Sequence, residues 1–223
     1  MGYDMNIEGE MPEAERIAKE AADAEWNEAI RARDAAGAGK DWPARQEMPE
    51  YIEAQKVALA AFEKMSRADT HYFRLNIWGM GRCRAAMYAA GMIFDGQEAE
   101  FPKYDPPTSA EGGAEALVAA EDAYAEEYDR LCEPVRAAHP EGGDTIPSFK
   151  FGSNDGWLVT ESECAAAVQA WREHKAKLDA NDAVGIIHEG DEGADEVAYY
   201  AEWWPEWIEF LERASQRGGF KVW

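Results

Sequence analysis

Apolar and polar residues alternate at the start of the chain, where Tyr3, Met5 and Ile7 are separated by Asp4, Asn6 and Glu8. A period of two predicts a short half-buried strand. The pattern then turns helical: Pro12 suits a first helical position, and Ile17, Ala21, Ala24 and Ile30 recur at helical spacing until Gly37–Gly39. A second helix is expected from near Pro49 to about Asp69, carrying Ile52, Val57, Leu59, Ala60 and Phe62. Phe73, Leu75 and Ile77 then alternate with Arg74 and Asn76, which reads as extended chain; Gly79 and Gly81 read as a glycine turn before an Ala-rich helix.

Residues 95–113 combine Pro, Gly and acid with few apolar positions, marking a long surface loop and the best candidate for a domain seam. Leaving Phe101 and Tyr104 in water is costly, so this loop is expected to lie against the body. Leu117, Ala120, Tyr124, Tyr128, Leu131 and Val135 form a helical stripe that Pro134 should kink or break. After a second loop at 139–147, Ile146–Phe151 is read as a strand, Ser153–Gly156 as a hairpin turn, and Trp157–Val159 as the returning strand. Thr160 and Glu163 have the spacing of a capping box, opening a helix that carries Cys164, Val168, Trp171 and Leu178.

An apolar patch at Val184–Ile187 and an acidic run at Glu189–Glu196 precede a last helical stripe of Val197, Tyr200, Trp204, Ile208 and Leu211, with Pro205 marking a break or fresh start. Gly218 and Gly219 end it, and Phe220 and Val222 alternate as a final strand. The expectation is α+β: one mainly helical domain over residues 1–223, with a small, mostly antiparallel sheet joining the amino- and carboxyl-terminal strands.

Composition narrows the function classes. Against 22 Lys and Arg stand 45 Asp and Glu, a formal charge of −23 over 223 residues. Such a surface repels phosphate, which excludes a nucleic-acid binder working by broad charge neutralisation. The hydrophobic share of 46%, with 9 Trp, 9 Tyr and 8 Phe, is too rich for disorder despite a mean hydropathy of −0.56. No window approaches the roughly 18 apolar residues of a membrane span, and MGYDMNIEGE lacks the basic and apolar regions of a secretory signal. Gly2 does not meet the myristoylation pattern, because Asn6 stands where Ser or Thr is required. Cys83, Cys132 and Cys164 are odd in number and lack CxxC spacing, which fits free thiols in a cytoplasm.

Two segments carry candidate chemistry. Arg74, Asn76, Gly79, Gly81, Arg82 and Arg84 make a cationic, glycine-containing entry to a helix, a composition that can hold a phosphate or carboxylate; the alternative is pairing of these arginines with neighbouring acids. Neither the third glycine of a dinucleotide fingerprint nor the Lys-Ser/Thr of a P-loop is present. Asn154, Asp155 and Trp157 cluster in a tight polar loop that could line a ligand across from the arginines; turn chemistry alone also explains them. Trp203, Trp204, Trp207 and Trp223 make the carboxyl end aromatic, which suits core packing or, at Trp203 and Trp207, an interaction surface.

No catalytic couple, metal site or cofactor site is expected. His71, His139, His174 and His188 show no HExxH, and Glu189–Glu196 does not match an EF-hand loop. Cys164 and His174, ten residues apart on one helix, would stand about 15 Å from each other.

The segments Tyr72–Met80, Phe151–Trp157 and Gly218–Trp223, with the opening Gly2-Tyr3-Asp4, resemble a family of hypothetical proteins from actinobacteria and their phages. The resemblance implies a bacterial or phage protein of the cytoplasm and one domain joining both termini; it brings no activity or catalytic residues. The 13 Arg against 9 Lys agree with a high-GC genome. The functional expectation is a non-enzymatic interaction protein, such as a phage accessory factor, whose acidic face meets a basic protein. The alternative is a binder of, or enzyme on, an anionic small molecule at Arg74, Arg82 and Arg84, which requires both segments to share one pocket.

Overall fold

The computed structural model of the chain describes residues 2–96, 100–103, 105, 107–108, 113–138, 145–184 and 203–223. His139, His188, Tyr104, the acidic run Glu189–Glu196 and the stripe residues Val197 and Tyr200 lie outside them. The fold is α+β and mainly helical. Two compact units are formed, one by Met1–Gly9 with Phe73–Trp223, the other by Glu10–Tyr72. The divisions fall after Gly9 and Tyr72, while 95–113 lies within the first unit.

The second unit is a helical hairpin of α1 (Glu13–Ala36) and α3 (Pro49–Ala68), with a short α2 (Trp42–Arg45) capped by the Asp41 carboxylate on the Ala44 N–H. Small residues make its seam: Ala29, Ala58 and Ala61 are buried, flanked by Trp26 and Ile30. The large apolar residues that define the α3 pattern, Ile52, Val57, Leu59 and Phe62, are exposed instead.

The first unit is built around a four-stranded sheet in the order β2-β1-β6-β5, from β1 (Gly2–Ile7), β2 (Tyr72–Asn76), β5 (Trp157–Val159) and β6 (Phe220–Val222). The terminal strands pair antiparallel as expected, Met5 opposite Val222 and Ile7 opposite Phe220. On the other side of β6, Trp157 faces Val222 and Val159 faces Phe220, also antiparallel. Alternation explains the core face: Met5, Phe220, Val222 and Val159 are fully buried.

Against this face pack α4 (Ile77–Ala89), α6 (Glu161–Val184) and α7 (Trp204–Ala214). Helix α7 starts at Pro205 in its first turn and buries Trp204, Trp207, Ile208, Phe210, Leu211 and Ala214. Its aromatics interlock with Phe73, Phe151 and Phe220 at ring separations of 5.1–6.1 Å. Gly218 and Gly219, at φ 80° and 77°, reverse the chain into β6.

Three expectations are corrected. Gly79 and Gly81 are not a turn: the strand stops at Asn76, whose side chain accepts from the Gly79 N–H at 2.7 Å and starts α4 at Ile77, so both glycines are helical. Ile146–Phe151 is not a strand of a hairpin. Only β4 (Ile146–Pro147), inside the expected loop 139–147, is extended; it pairs parallel with β3 (Ile93–Phe94), and Ser148–Phe151 forms a 3-10 turn. Of the kink or break expected at Pro134, the break does not occur, since α5 runs continuously from Ala114 to Ala138. Arg130, whose carbonyl loses its donor, is exposed to water, and the Arg136 guanidinium donates to the adjacent Asp129 carbonyl at 3.0 Å.

Candidate functional site

The loop singled out by its polar residues, Gly152–Trp157, is pinned from three sides. Asn154 Nδ2 donates to the Gly2 carbonyl at 2.7 Å, Arg136 Nη1 donates to the Asp155 carbonyl at 2.9 Å, and the Gly156 N–H donates to the Val222 carbonyl at 2.8 Å. Arg136 is itself 88% withdrawn from solvent by position, with a side-chain exposure of 12%, and also binds Asp129 and Glu133. Gly156 sits at φ 73° under the Trp223 ring, where a Cβ would come within 2.6 Å of the indole.

Next to this loop the 3-10 turn presents Phe149, and its neighbour Lys150 turns inward. Lys150 Nζ donates to both carboxylate oxygens of Glu163 and to the Leu158 carbonyl, all at 2.7–2.8 Å. Glu163 also accepts from the Thr160 N–H at 2.8 Å, while Thr160 Oγ1 accepts from the Glu163 N–H: the expected capping box, enlarged by a buried lysine. The 3-10 turn, β5 and the start of α6 are thereby tied together beneath the surface.

Above them Phe149 and Phe101 each lie 4.9 Å from Trp157, with ring planes inclined at 69° and 52°. Phe101 therefore lies against the body, as its cost in water demands. Gly96 lets the chain pass close to Phe149, since a Cβ there would meet the ring at 3.0 Å. Around this aromatic corner opens a cleft of about 560 Å³, lined by Glu100, Phe101, Lys103, Phe149, Ser153, Asp155 and Trp157. Its size is that of a small-molecule site. Asp155 and Trp157 were legible from sequence; Phe149, Ser153 and the supporting Lys150 were not, although a lysine inside the apolar run IPSFKF hints at a buried partner.

The arginine segment is arranged differently. Arg74 Nε lies 3.5 Å from Asp4 Oδ1, and a Cβ on Gly2 would come 3.2 Å from the same nitrogen. Arg74 and Asn154 thus both approach Gly2, where the two flagged segments come together. Asn76 is engaged as the α4 cap. Arg82 is exposed, whereas Arg84 is half-buried with its charge near Tyr88, whose hydroxyl donates to Asp95. Two residues apart on a helix, Arg82 and Arg84 leave it about 200° apart. The cleft lining contains none of the three arginines.

Trp207 is corrected as an interaction residue: it is fully buried, and Trp203 is half-buried against the core. Among the described residues Trp78 is the most exposed tryptophan, at 84%, ahead of Trp42 at 63% and Trp223 at 40%; it stands beside Ile77, at 47%, in the first turn of α4. Its signal in the sequence is the N-cap, which places residues 77–78 ahead of the buried stripe Met80, Cys83 and Met87.

All three cysteines are buried, and burial pushes the thiols of Cys83 and Cys164 above their ordinary range, away from nucleophilic thiolate. Among the described residues, no group of three or more His, Cys, Asp and Glu is placed to hold a metal, and no helix is long and apolar enough to cross a membrane. Compared with protein-family models, curated proteins and solved structures, the chain has no match.

Proposed function

We propose that this protein is a non-enzymatic interaction factor that docks a basic protein through the Ile77–Trp78 turn. The observation that carries the reading is Trp78, 84% exposed on an ordered helix. Single exposed apolar residues are ordinary. Trp78, however, has Ile77 beside it and Arg82 one helical turn away, and tryptophan and arginine are the residues most enriched where binding energy concentrates. The Asn76 cap and the buried face of α4 hold the turn in place, so little ordering entropy is lost on docking. The charge of −23 favours a basic partner and makes association sensitive to salt.

The anion-binding alternative is weaker, because Arg74 already faces Asp4 and Arg82 and Arg84 leave α4 in different directions. The resemblance to actinobacterial and phage proteins directs the test to an actinobacterial lysate. Affinity capture at low and high salt would compare the wild-type chain with Trp78→Ala. A basic protein retained by the wild type, released by salt and absent from the variant supports the reading. Equal retention by both baits, or retention by neither, overturns it.

A further inference from the structure

We propose that the helical hairpin of α1 and α3 is a self-association surface, on which a second copy of this chain lays its own hairpin, antiparallel about a two-fold axis. The surface shares no residue with the Trp78 turn. Burial in this hairpin is inverted. The buried residues of α1 and α3 are Ala22, Ala29, Ala58, Ala61 and Tyr51, whereas Ile52, Leu59 and Phe62 are 39%, 54% and 48% exposed. Each of these three directly follows a buried residue, so the exposed stripe is turned about 100° from the seam and runs along one side of α3. Trp26, whose ring lies 6.1 Å from that of Phe62, and Ile30 one turn further on carry the stripe onto α1. Single exposed apolar residues are ordinary, but five large ones on one face of a two-helix layer are what a second layer covers.

The charges beside the stripe select a second copy as the cover. Lys56 and Glu63 are exposed and lie one heptad apart, four residues after Ile52 and Leu59, where side chains border a helix–helix seam. A two-fold axis passing midway between Leu59 and Phe62 sets Leu59 of one copy on Phe62 of the other. The same axis brings Lys56 to within two residues, about 3 Å along the helix, of Glu63 in the other copy, and symmetry makes this pair twice. The Glu53 carboxylate that Lys56 meets on its own helix is an exposed partner, readily exchanged. Residues 10–72 carry 9 Lys and Arg against 14 Asp and Glu, a small part of the −23, so two hairpins repel only weakly. The area is sufficient as well. With α3 at 20 residues, about 30 Å, and two helices about 20 Å wide, the face measures roughly 600 Å² in projection, close to the accessible area of about 800 Å² per partner in a standard interface.

The test is sedimentation equilibrium of the full chain from about 1 to 100 μM at physiological ionic strength. The wild type is expected to reach twice the 24.9 kDa of one chain. Phe62→Glu should stay monomeric over the whole range with its helicity retained in circular dichroism, because the ring is half exposed in the single chain. Lys56→Glu and Glu63→Lys should each raise the dissociation constant about tenfold, and the two reversals together should restore it to within about threefold of the wild type. If Phe62→Glu loses helicity, the charge reversals, made on exposed side chains, decide by themselves. A wild type that is monomeric at every concentration, a dimer that Phe62→Glu leaves intact, or a double reversal as weak as the single ones overturns the proposal.

Discussion

Lys150 Nζ lies 2.8 and 2.7 Å from the two carboxylate oxygens of Glu163, with the side chains 2% and 1% exposed. Each charge is further satisfied, by the Leu158 carbonyl and the Thr160 N–H. Such a pair is costly to bury and far costlier to break, because the survivor is left as an uncompensated charge. Glu163→Gln or Lys150→Met is expected to lower stability by about 3–5 kcal/mol in urea denaturation. Lys150→Met combined with Glu163→Leu should recover most of this, short of about 1 kcal/mol for the lost cap. Equal losses in single and double variants would show that the two charges are not coupled.

Gly219 and Gly81 should respond to alanine in opposite directions. At Gly219, φ is 77° and a Cβ would come within 2.1 Å of the Val159 carbonyl oxygen, so Gly219→Ala should cost at least about 2 kcal/mol. Gly81 is an exposed position inside α4 with nothing within 4 Å of a new Cβ, and Gly81→Ala should stabilise by about 0.5–1 kcal/mol. Denaturation midpoints check both signs, and a loss at Gly81 would restore the turn reading of that segment.

Trp207 and Trp78 make a matched pair for separating core from surface. Trp207→Ala removes a fully buried ring from the cluster with Phe73, Phe151, Phe210 and Phe220 and should cost about 3–5 kcal/mol. Trp78→Ala should stay within about 0.5 kcal/mol of the wild type. A large loss at Trp78 would mean that its ring supports the fold.

His174 predicts a mild sensitivity to acid. Burial, with a contribution from the Lys177 charge, holds its imidazole below the ordinary value of 6.5. The unfolded chain therefore takes up the proton first, so the His174 contribution to stability is fully present above about pH 6.5 and is lost as pH falls through the folded-state value. Thermal midpoints between about pH 7.5 and 5.5, above the range where most carboxylates titrate, should fall more steeply in the wild type than in His174→Asn. Parallel slopes would contradict this.

Where structure is decided by a few adjacent residues, it was legible in the chain. The strand at Tyr3–Ile7, the start of α3 at Pro49, the Thr160–Glu163 capping box, the fresh helix at Pro205 and the reversal at Gly218-Gly219 all rest on local dihedrals, local donors and a short apolar period. Burial and pairing do not. Trp157–Val159 joins Phe220–Val222 rather than the segment just before it, because a strand takes whichever edge lets its apolar face reach the core. Trp207 is buried and Trp78 exposed for a similar reason: a helix hides the face that other elements happen to cover, and periodicity names the face without naming the cover. The cleft needed most of all from the fold, since Phe101, Phe149 and Trp157 meet only after a sheet edge, a 3-10 turn and a long loop have each been placed by contacts remote in sequence.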